Sequence, residues 1–444
     1  MCRYYTYYHP LFPIAPELPH LLQCYLSQLP LFWTIITIAS KTTKENPSIY
    51  LALSSAIPKL IEKILHSNGK ELWMIQALLL LCCWPLPFGP KSADPSLLYS
   101  GLATSSALEI GLHRYKFPSD FTYDEPYDED RAFMQKKTWL ACFILSQHLS
   151  TELGVPTCFH IDRTIISALE TPDIRIPCVL RDQLRTAYLG FRISNSLGND
   201  ILSFSGLSSN RMQLIHLFET DLAAARTVNT GDRDTSGEIC FLAVSLQLYS
   251  YALEHNIGEG KDNTDDSSRC EILLRGYHAA MELVQIAVTN SFEAPYWTRQ
   301  IYQSVIHAIT FLLKLCSSSA PQLSVIDSPS TRNLISQGWD FLRSGSLMEN
   351  DHLFRISTLV AYLSKLEEKD PQLPRLSVQS RMSANVMYDA VWRAKQRFSP
   401  EVRNMRPADY TTTAVLEELS ASWAENVLNE DGLFRHWNSV ITNY

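Results

Sequence analysis

Two acidic patterns in this 444-residue chain have the spacing of a metal site. Asp124-Glu-Pro-Tyr-Asp128 carries carboxylates at both ends of a five-residue run. Asn263, Ser267 and Glu271 follow at i, i+4 and i+8, which on a helix aligns three oxygen ligands on one face. Such a pair of sets can hold Mg²⁺ while a diphosphate departs. Two features oppose that chemistry. Pro126 breaks the helix the first set would need, and Asn263 lies in a polar loop that is expected to fall outside its helix. The remaining reactive residues read as structure. Cys158-Phe-His160 offers two ligands with nothing to complete the shell. Cys82 and Cys83 sit inside an apolar run and point to different sides of a helix, where thiols act as small buried hydrophobes. His148, among Leu145, Leu149 and Glu152, is expected to be a hydrogen-bonded structural histidine. His113-Arg114 ends a helix, where cations complement the negative end of the dipole by about 0.3–1 kcal/mol.

The elements that would position these groups are helical almost throughout. Apolar residues recur at helical spacing, and no alternating strand pattern or fixed-period repeat is present. "LPLFWTIITIAS" is apolar all round. "NPSIYLALSSAIPKLIEKILHSNG" opens with Asn46 and Pro47 and closes at Asn68-Gly69. The stretch "QALLLLCCWPLPFGPKSADPSLLYSGLATSSALEIGLHR", Gln76–Arg114, holds two helices separated by a proline-broken loop, the second starting at Asp94-Pro95. Leu98, Leu102, Leu108 and Leu112, with small Gly101, Ala103 and Ala107 between them, are expected to pack on the helix Asp128–Leu153. That helix closes on Gly154 and carries Trp139, Cys142, Phe143 and Leu145, with Trp33 and Trp73 close by. Further helices are expected at Asp182–Ser196, Arg211–Ala225, Glu238–His255, Ser268–Thr289, Trp297–Cys316, Ser330–Leu342, Asp351–Leu366, Ser380–Phe398 and Thr413–Leu428. The fold class is all-α: a large multi-helix domain with no substantial β-sheet.

Composition narrows the function. The net charge of −8 and the lack of a basic cluster oppose DNA binding by this chain alone. The ten cysteines form no C-x-x-C, which suits a reducing intracellular compartment. The apolar runs at Leu29–Ala39 and Leu72–Trp84 fall short of the roughly 18 residues of a spanning helix, so no membrane is expected as a partner. No P-loop, G-x-G-x-x-G, H-E-x-x-H or G-x-S-x-G motif occurs. The chain therefore reads as a non-enzyme, with no catalytic, cofactor-binding or metal residues.

Five segments occur in the order of a known family: Tyr8–Pro10, Phe32-Trp33, Gln76–Pro85, Gly111–Arg114, and Trp139–Leu145 closing on Gly154-x-Pro156. Over about the first 160 residues the chain resembles the regulatory (middle homology) region of fungal-specific transcription factors of the binuclear zinc cluster family. The likeness is to the branch with the leucine-biosynthesis regulator and the regulator of secreted proteases. The resemblance implies an all-α regulatory domain, a nuclear site of action, homo- or hetero-dimerisation, and in some members a small-molecule effector. It also implies a six-cysteine module with two zinc ions, which this sequence does not contain. DNA contact is thus expected only through a missing module or a partner. The abrupt tyrosine-rich start suggests sequence upstream of Met1.

The expected organisation is a regulatory domain over 1–370 and a C-terminal section over 371–444. Within 411–444, acidic residues alternate with large apolar ones: Trp423, Glu425, Leu428, Glu430, Asp431, Leu433, Phe434 and Trp437. That alternation suits an activation segment docking on a coactivator or the transcription machinery, or else a final helix packed on the body. The function expected is transcription regulation of a fungal metabolic or secondary-metabolite gene cluster. The alternatives are a non-DNA-binding helical module that senses a ligand or binds a protein and, more remotely, a Mg²⁺-dependent enzyme like the class I terpene synthases, whose motifs the two acidic patterns resemble.

Overall fold

In a computed structural model, the described residues are 1–391 apart from 24–25, 27, 43–46, 66–70, 88–93, 122–127, 172, 229–233, 254–262, 317–325, 327, 348–350 and 366–377. The helical periodicity of the sequence becomes fifteen α-helices among these residues. They are α1 Leu18–Gln23, α2 Leu29–Ser40, α3 Pro47–Leu65, α4 Leu72–Cys83, α5 Ser96–Glu109, α6 Glu129–Leu153, α7 Arg163–Glu170 and α8 Cys178–Gly198, followed by α9 Arg211–Val228, α10 Thr235–Ser250, α11 Asn263–Thr289, α12 Arg299–Cys316, α13 Pro329–Gly345, α14 His352–Lys365 and α15 Arg381–Ala384. The fold is all-α, and the described residues contain no β-sheet. None of their helices is long and apolar enough to cross a membrane.

Local chemistry fixes the helix ends. Asp128 caps α6 by accepting from Asp130 N–H, and Glu129 and Asp130 add negative charge to the first turn. At the other end Gly154 takes φ 65°, and the Gly154 and Val155 N–H groups donate back to Thr151 and Ser150 carbonyls. Asp162 caps α7, Asp234 caps α10, and Ser328 with Pro329 opens α13.

The helices bury two apolar cores. The first gathers Tyr4, Tyr8 and Phe12 with α2, α4, α5, α6, α7 and the start of α8. The second gathers the end of α8 with α9 to α14, and residues 378–391 pack into it. α4 lies at the centre of the first core, with every residue from Met74 to Cys83 buried. Its one strongly polar side chain is Gln76, whose amide donates to Ile14 O at 3.0 Å and Thr138 Oγ1 at 2.9 Å. That bond pair joins the N-terminal segment to α4 and α6.

α6 presents the expected core face: Trp139 is 2% exposed, and Cys142, Phe143 and Leu145 are buried with it. α5 does not present the face expected. Leu98 is 70% exposed and Leu108 45% exposed, while Ser96, Ser100, Ala103, Ser106 and Ala107 are buried. Small residues face α4 and α6 because the densely filled α4 leaves little room for leucine. Gly101 takes no part in this packing, with nothing within 4 Å of where a Cβ would stand. Trp33 also turns outward, at 39% exposure, and Trp73 is half-buried.

Candidate ligand cavity between the two cores

Arg299 opens α12 and is 9% exposed. Its Nε donates to Glu152 Oε2 at 2.7 Å, and Nη2 lies 2.6 Å from both Glu152 Oε1 and Asp94 Oδ2. Nη1 donates to Ser96 Oγ at 2.8 Å. One guanidinium thus joins α12 of the second core to the end of α6 and the entry of α5. Burial alone would make Arg299 less basic; Glu152 and Asp94 outweigh it and raise its pKa. Glu152 is held further by its backbone, whose carbonyl accepts from Asn385 Nδ2.

Beside this cluster lies a cavity of about 90 Å³, roomy enough for several water molecules. Phe12, Cys83 and Leu145 line it from the first core, and Val244 and Ile306 from the second. Its polar wall includes Gln147, His148, Gln183, Gln247, Arg299 and His307. Three side-chain atoms of these residues, Gln147 Oε1, His148 Nε2 and Gln183 Oε1, are buried without a hydrogen-bond partner. Each such buried atom costs about 1–3 kcal/mol. Gly190 lets Gln247 approach closely, since a Cβ there would stand 3.1 Å from Gln247 Oε1.

Both imidazoles are neutral at physiological pH. Burial, partly countered by Glu152, lowers His148 to about 3, and burial lowers His307 to about 4. Ser250 Oγ donates to Leu246 O at 2.8 Å, so its 3.0 Å contact with His307 Nε2 is a bond it accepts. The His307 proton therefore sits on Nε2, and Nδ1 is the acceptor.

The residues singled out in the sequence have varied fates. Cys82 and Cys83 are buried in the first core, and burial raises both thiol pKa values, Cys82 to about 12. Cys158 and His160 are exposed. Asp128 serves as a helix cap, and Asp124 and Pro126 lie outside the described residues. α11 begins at Asn263, so the expectation that Asn263 falls outside the helix is corrected; Glu271 accepts from Arg275. His148 lines the cavity and its Nε2 is buried without a partner, so it is not the fully bonded structural histidine expected. His113 does not end α5, which stops at Glu109; it lies in a separate turn, Leu112–Arg114, after Gly111. Burial lowers the His113 pKa, which removes the expected dipole role, while Arg114 pairs with Asp120 at 2.9 Å. Trp423, Glu425, Leu428, Glu430, Asp431, Leu433, Phe434 and Trp437 all lie outside the described residues. Among the described residues no three His, Cys, Asp or Glu side chains are grouped to hold a metal, so they supply no ligand set for the two zinc ions implied by the resemblance.

Sequence reading missed Arg299, Glu152 and the glutamines of the cavity. One signal was available: Arg299 stands at the head of a largely apolar helical stretch, Ile301–Leu313, where a cation needs a partner.

Comparison with known proteins places this geometry in context. Residues 1–188 match the family model described as "Fungal specific transcription factor domain". The chain is similar to the transcriptional regulatory protein SEF1 of Candida albicans, with 26% identity over 416 residues that cover 88% of this chain and 44% of that protein. It is also similar to the regulatory protein LEU3 of Saccharomyces cerevisiae, with 22% identity over 458 residues that cover 88% of this chain and 50% of the relative. The chain spans between a third and a half of the length of the curated relatives it matches. No solved structure matches it. The match covers the first core, from the buried tyrosines at the N-terminus to the start of α8, so it is this half of the fold that resembles the fungal specific transcription factor domain.

Proposed function

We propose that this chain is the regulatory part of a fungal transcription regulator, acting in the nucleus without enzymatic activity, and that the cavity between its cores receives a small-molecule effector. The family match over residues 1–188 supports the first half of this reading. The observation that carries the second half is a cavity lined by residues of both cores, with Arg299 and the neutral His148 and His307 among its polar residues. An occupant of this cavity changes how the cores pack across α6, α8 and α12. In this reading the output is pathway-specific control of a metabolic or secondary-metabolite gene cluster. DNA contact comes through a zinc-bearing segment or a partner outside residues 1–444, in a homo- or hetero-dimer. Residues 411–444 recruit a coactivator.

A fusion to a heterologous DNA-binding domain tests the proposal in a fungal reporter strain. Reporter output is expected to differ from that of the DNA-binding domain alone and to change on deletion of 411–444. Unchanged output in both would refute a regulatory role. The purified chain, with its net charge of −8, is expected to bind duplex DNA no better than non-specifically at physiological salt. Pyrophosphate release from prenyl diphosphates with Mg²⁺ would replace this reading with an enzymatic one.

A further inference from the structure

α5 turns leucines outward, and the glycine among them has no use inside the molecule. Gly101 stands in the middle of a 14-residue helix, where glycine is less favourable than alanine. Among the described residues nothing lies within 4 Å of where its Cβ would stand, so no neighbour in the chain requires the missing side chain. The other exposed residues of α5 are Leu97, Leu98, Ser105, Leu108 and Glu109. The three leucines are 50%, 70% and 45% exposed in that order. At about 3.6 residues per turn, Leu97, Leu98, Gly101, Ser105 and Leu108 fall on one stripe. It has leucine at both ends and a notch of small residues between them.

Single exposed leucines are ordinary. This stripe is not, because it lacks the charged residues that a solvent-facing helix surface carries. Glu109, the last residue, is the one charged residue of α5. Two observations fit a second copy of the chain to it. The chain has a net charge of −8, so two copies repel over most of their surface and meet best where no charge has to be desolvated. The stripe also reads alike in both directions: Leu98-x-x-Gly101-x-x-x-Ser105-x-x-Leu108 is symmetric in residue type about position 103. A two-fold interface needs that self-complementarity, since every contact of i with j is repeated as j with i. Antiparallel packing about position 103 sets Leu98 against the partner's Leu108 and Gly101 against the partner's Ser105.

Resting on the homodimer of the reading above, we infer that α5 is its contact surface: the chain pairs with a second copy through antiparallel α5 helices that approach most closely at Gly101. Glycine and serine at the crossing let the two backbones reach the short end of the roughly 8–10 Å range of helix separations. The contacting stretch, Leu98 to Leu108, is about 15 Å long. With three leucines from each copy it buries less than the roughly 1,200 Å² at which stable interfaces begin, so the expected pair is weak, with a Kd of roughly 10–100 μM.

Sedimentation equilibrium of the full chain, from low micromolar to several hundred micromolar, measures the pairing. Leu98→Lys is expected to weaken it roughly tenfold or more. Gly101→Leu is expected to weaken it as much, although it adds apolar surface and helix propensity, because a side chain at the crossing holds the helices apart. The double variant Leu98→Lys/Leu108→Glu is expected to pair more tightly than Leu98→Lys, since in the antiparallel register each new ammonium meets a new carboxylate of the partner. All three positions are exposed, and circular dichroism checks that the variants stay folded. A chain that is monomeric throughout overturns the inference and leaves the regulatory reading to the reporter assay. Dimers indifferent to Leu98→Lys and Gly101→Leu overturn it too, and keep the homodimer on another surface. Tighter pairing of Gly101→Leu overturns the close approach, and a double variant no tighter than Leu98→Lys overturns the antiparallel register.

Discussion

Trp139 is where side-chain packing and hydrogen bonding meet in the first core. Its ring lies 4.6 Å from Phe159, and its Nε1 donates to Asp162 Oδ2 at 2.9 Å. Asp162 also caps α7 through its other oxygen, which accepts from Ile165 N–H, so the indole ties a core helix to a neighbouring helix start. Trp139→Ala is expected to cost about 3–5 kcal/mol in urea denaturation, as large-to-small core changes do. A variant of wild-type stability would mean the residue serves an interaction surface. His148 and His307 make a second residue-scale prediction. Their folded pKa values, about 3 and about 4, lie below the unfolded value near 6.5. Between these limits the unfolded chain binds more protons, so stability is full above about pH 6.5 and falls as pH drops toward 4. Two such groups steepen the fall by up to about 2.7 kcal/mol per pH unit. The double variant His148→Gln/His307→Gln is expected to flatten the profile of melting temperature in that window; an unchanged slope would refute the neutral burial. The burial of Trp139 was legible in the sequence because helical spacing sets it among apolar neighbours. The roles of Gln147 and Gln183 were not legible, because a helical glutamine reads alike whether its amide meets solvent or a cavity. Gln183 meets Leu11 across 172 positions, a pairing that only the assembled fold creates.

Helix ends and helix faces differed in how far they could be read. Gly154 was recognisable as the stop of α6, and its positive φ explains why glycine stands there. A Cβ at Gly154 would come within 2.5 Å of Met382 Cα, in the segment that returns to cover the end of α6. Gly154→Ala is therefore expected to destabilise by at least about 1–2 kcal/mol. Gly101, mid-helix and open to solvent, should respond oppositely: Gly101→Ala is expected to stabilise by roughly 0.5–1 kcal/mol. Chemical denaturation of the pair checks both signs, and equal shifts would show that local conformation does not govern either site. Helix existence was legible for most of α2 to α14, since each carries apolar residues at a 3.6-residue period. The facing of α5 was not, because its leucines suggest one buried stripe while its neighbours leave space only for serine and alanine. α7 is only eight residues long and was missed, although Asp162 ahead of Arg-Thr-Ile-Ile is a usable capping signal.

At the scale of the molecule, the two cores are joined by a few buried polar links. Arg299 is the strongest, since its removal strands Asp94 and Glu152 in a buried site. Arg299→Met is expected to cost about 3–5 kcal/mol. It should also separate the unfolding of the cores, seen as a divergence between Trp139 and Trp297 fluorescence in single-tryptophan backgrounds. A single coincident transition at wild-type stability would show that the link is dispensable. The cores are bound near the N-terminus as well. Trp84 Nε1 donates to Tyr296 O at 2.9 Å, and Tyr7 stacks on Tyr296 with ring centroids 4.5 Å apart. Tyr7 and Tyr296 are 296 − 7 = 289 positions apart. On a ribosome adding about 5–20 residues per second, the tyrosine-rich start waits roughly 15–60 s for the residue it stacks against. During that interval the first core emerges with this edge uncovered. The nascent chain therefore carries this apolar edge exposed until residue 296 has been made, so slower elongation lengthens its exposure to aggregation.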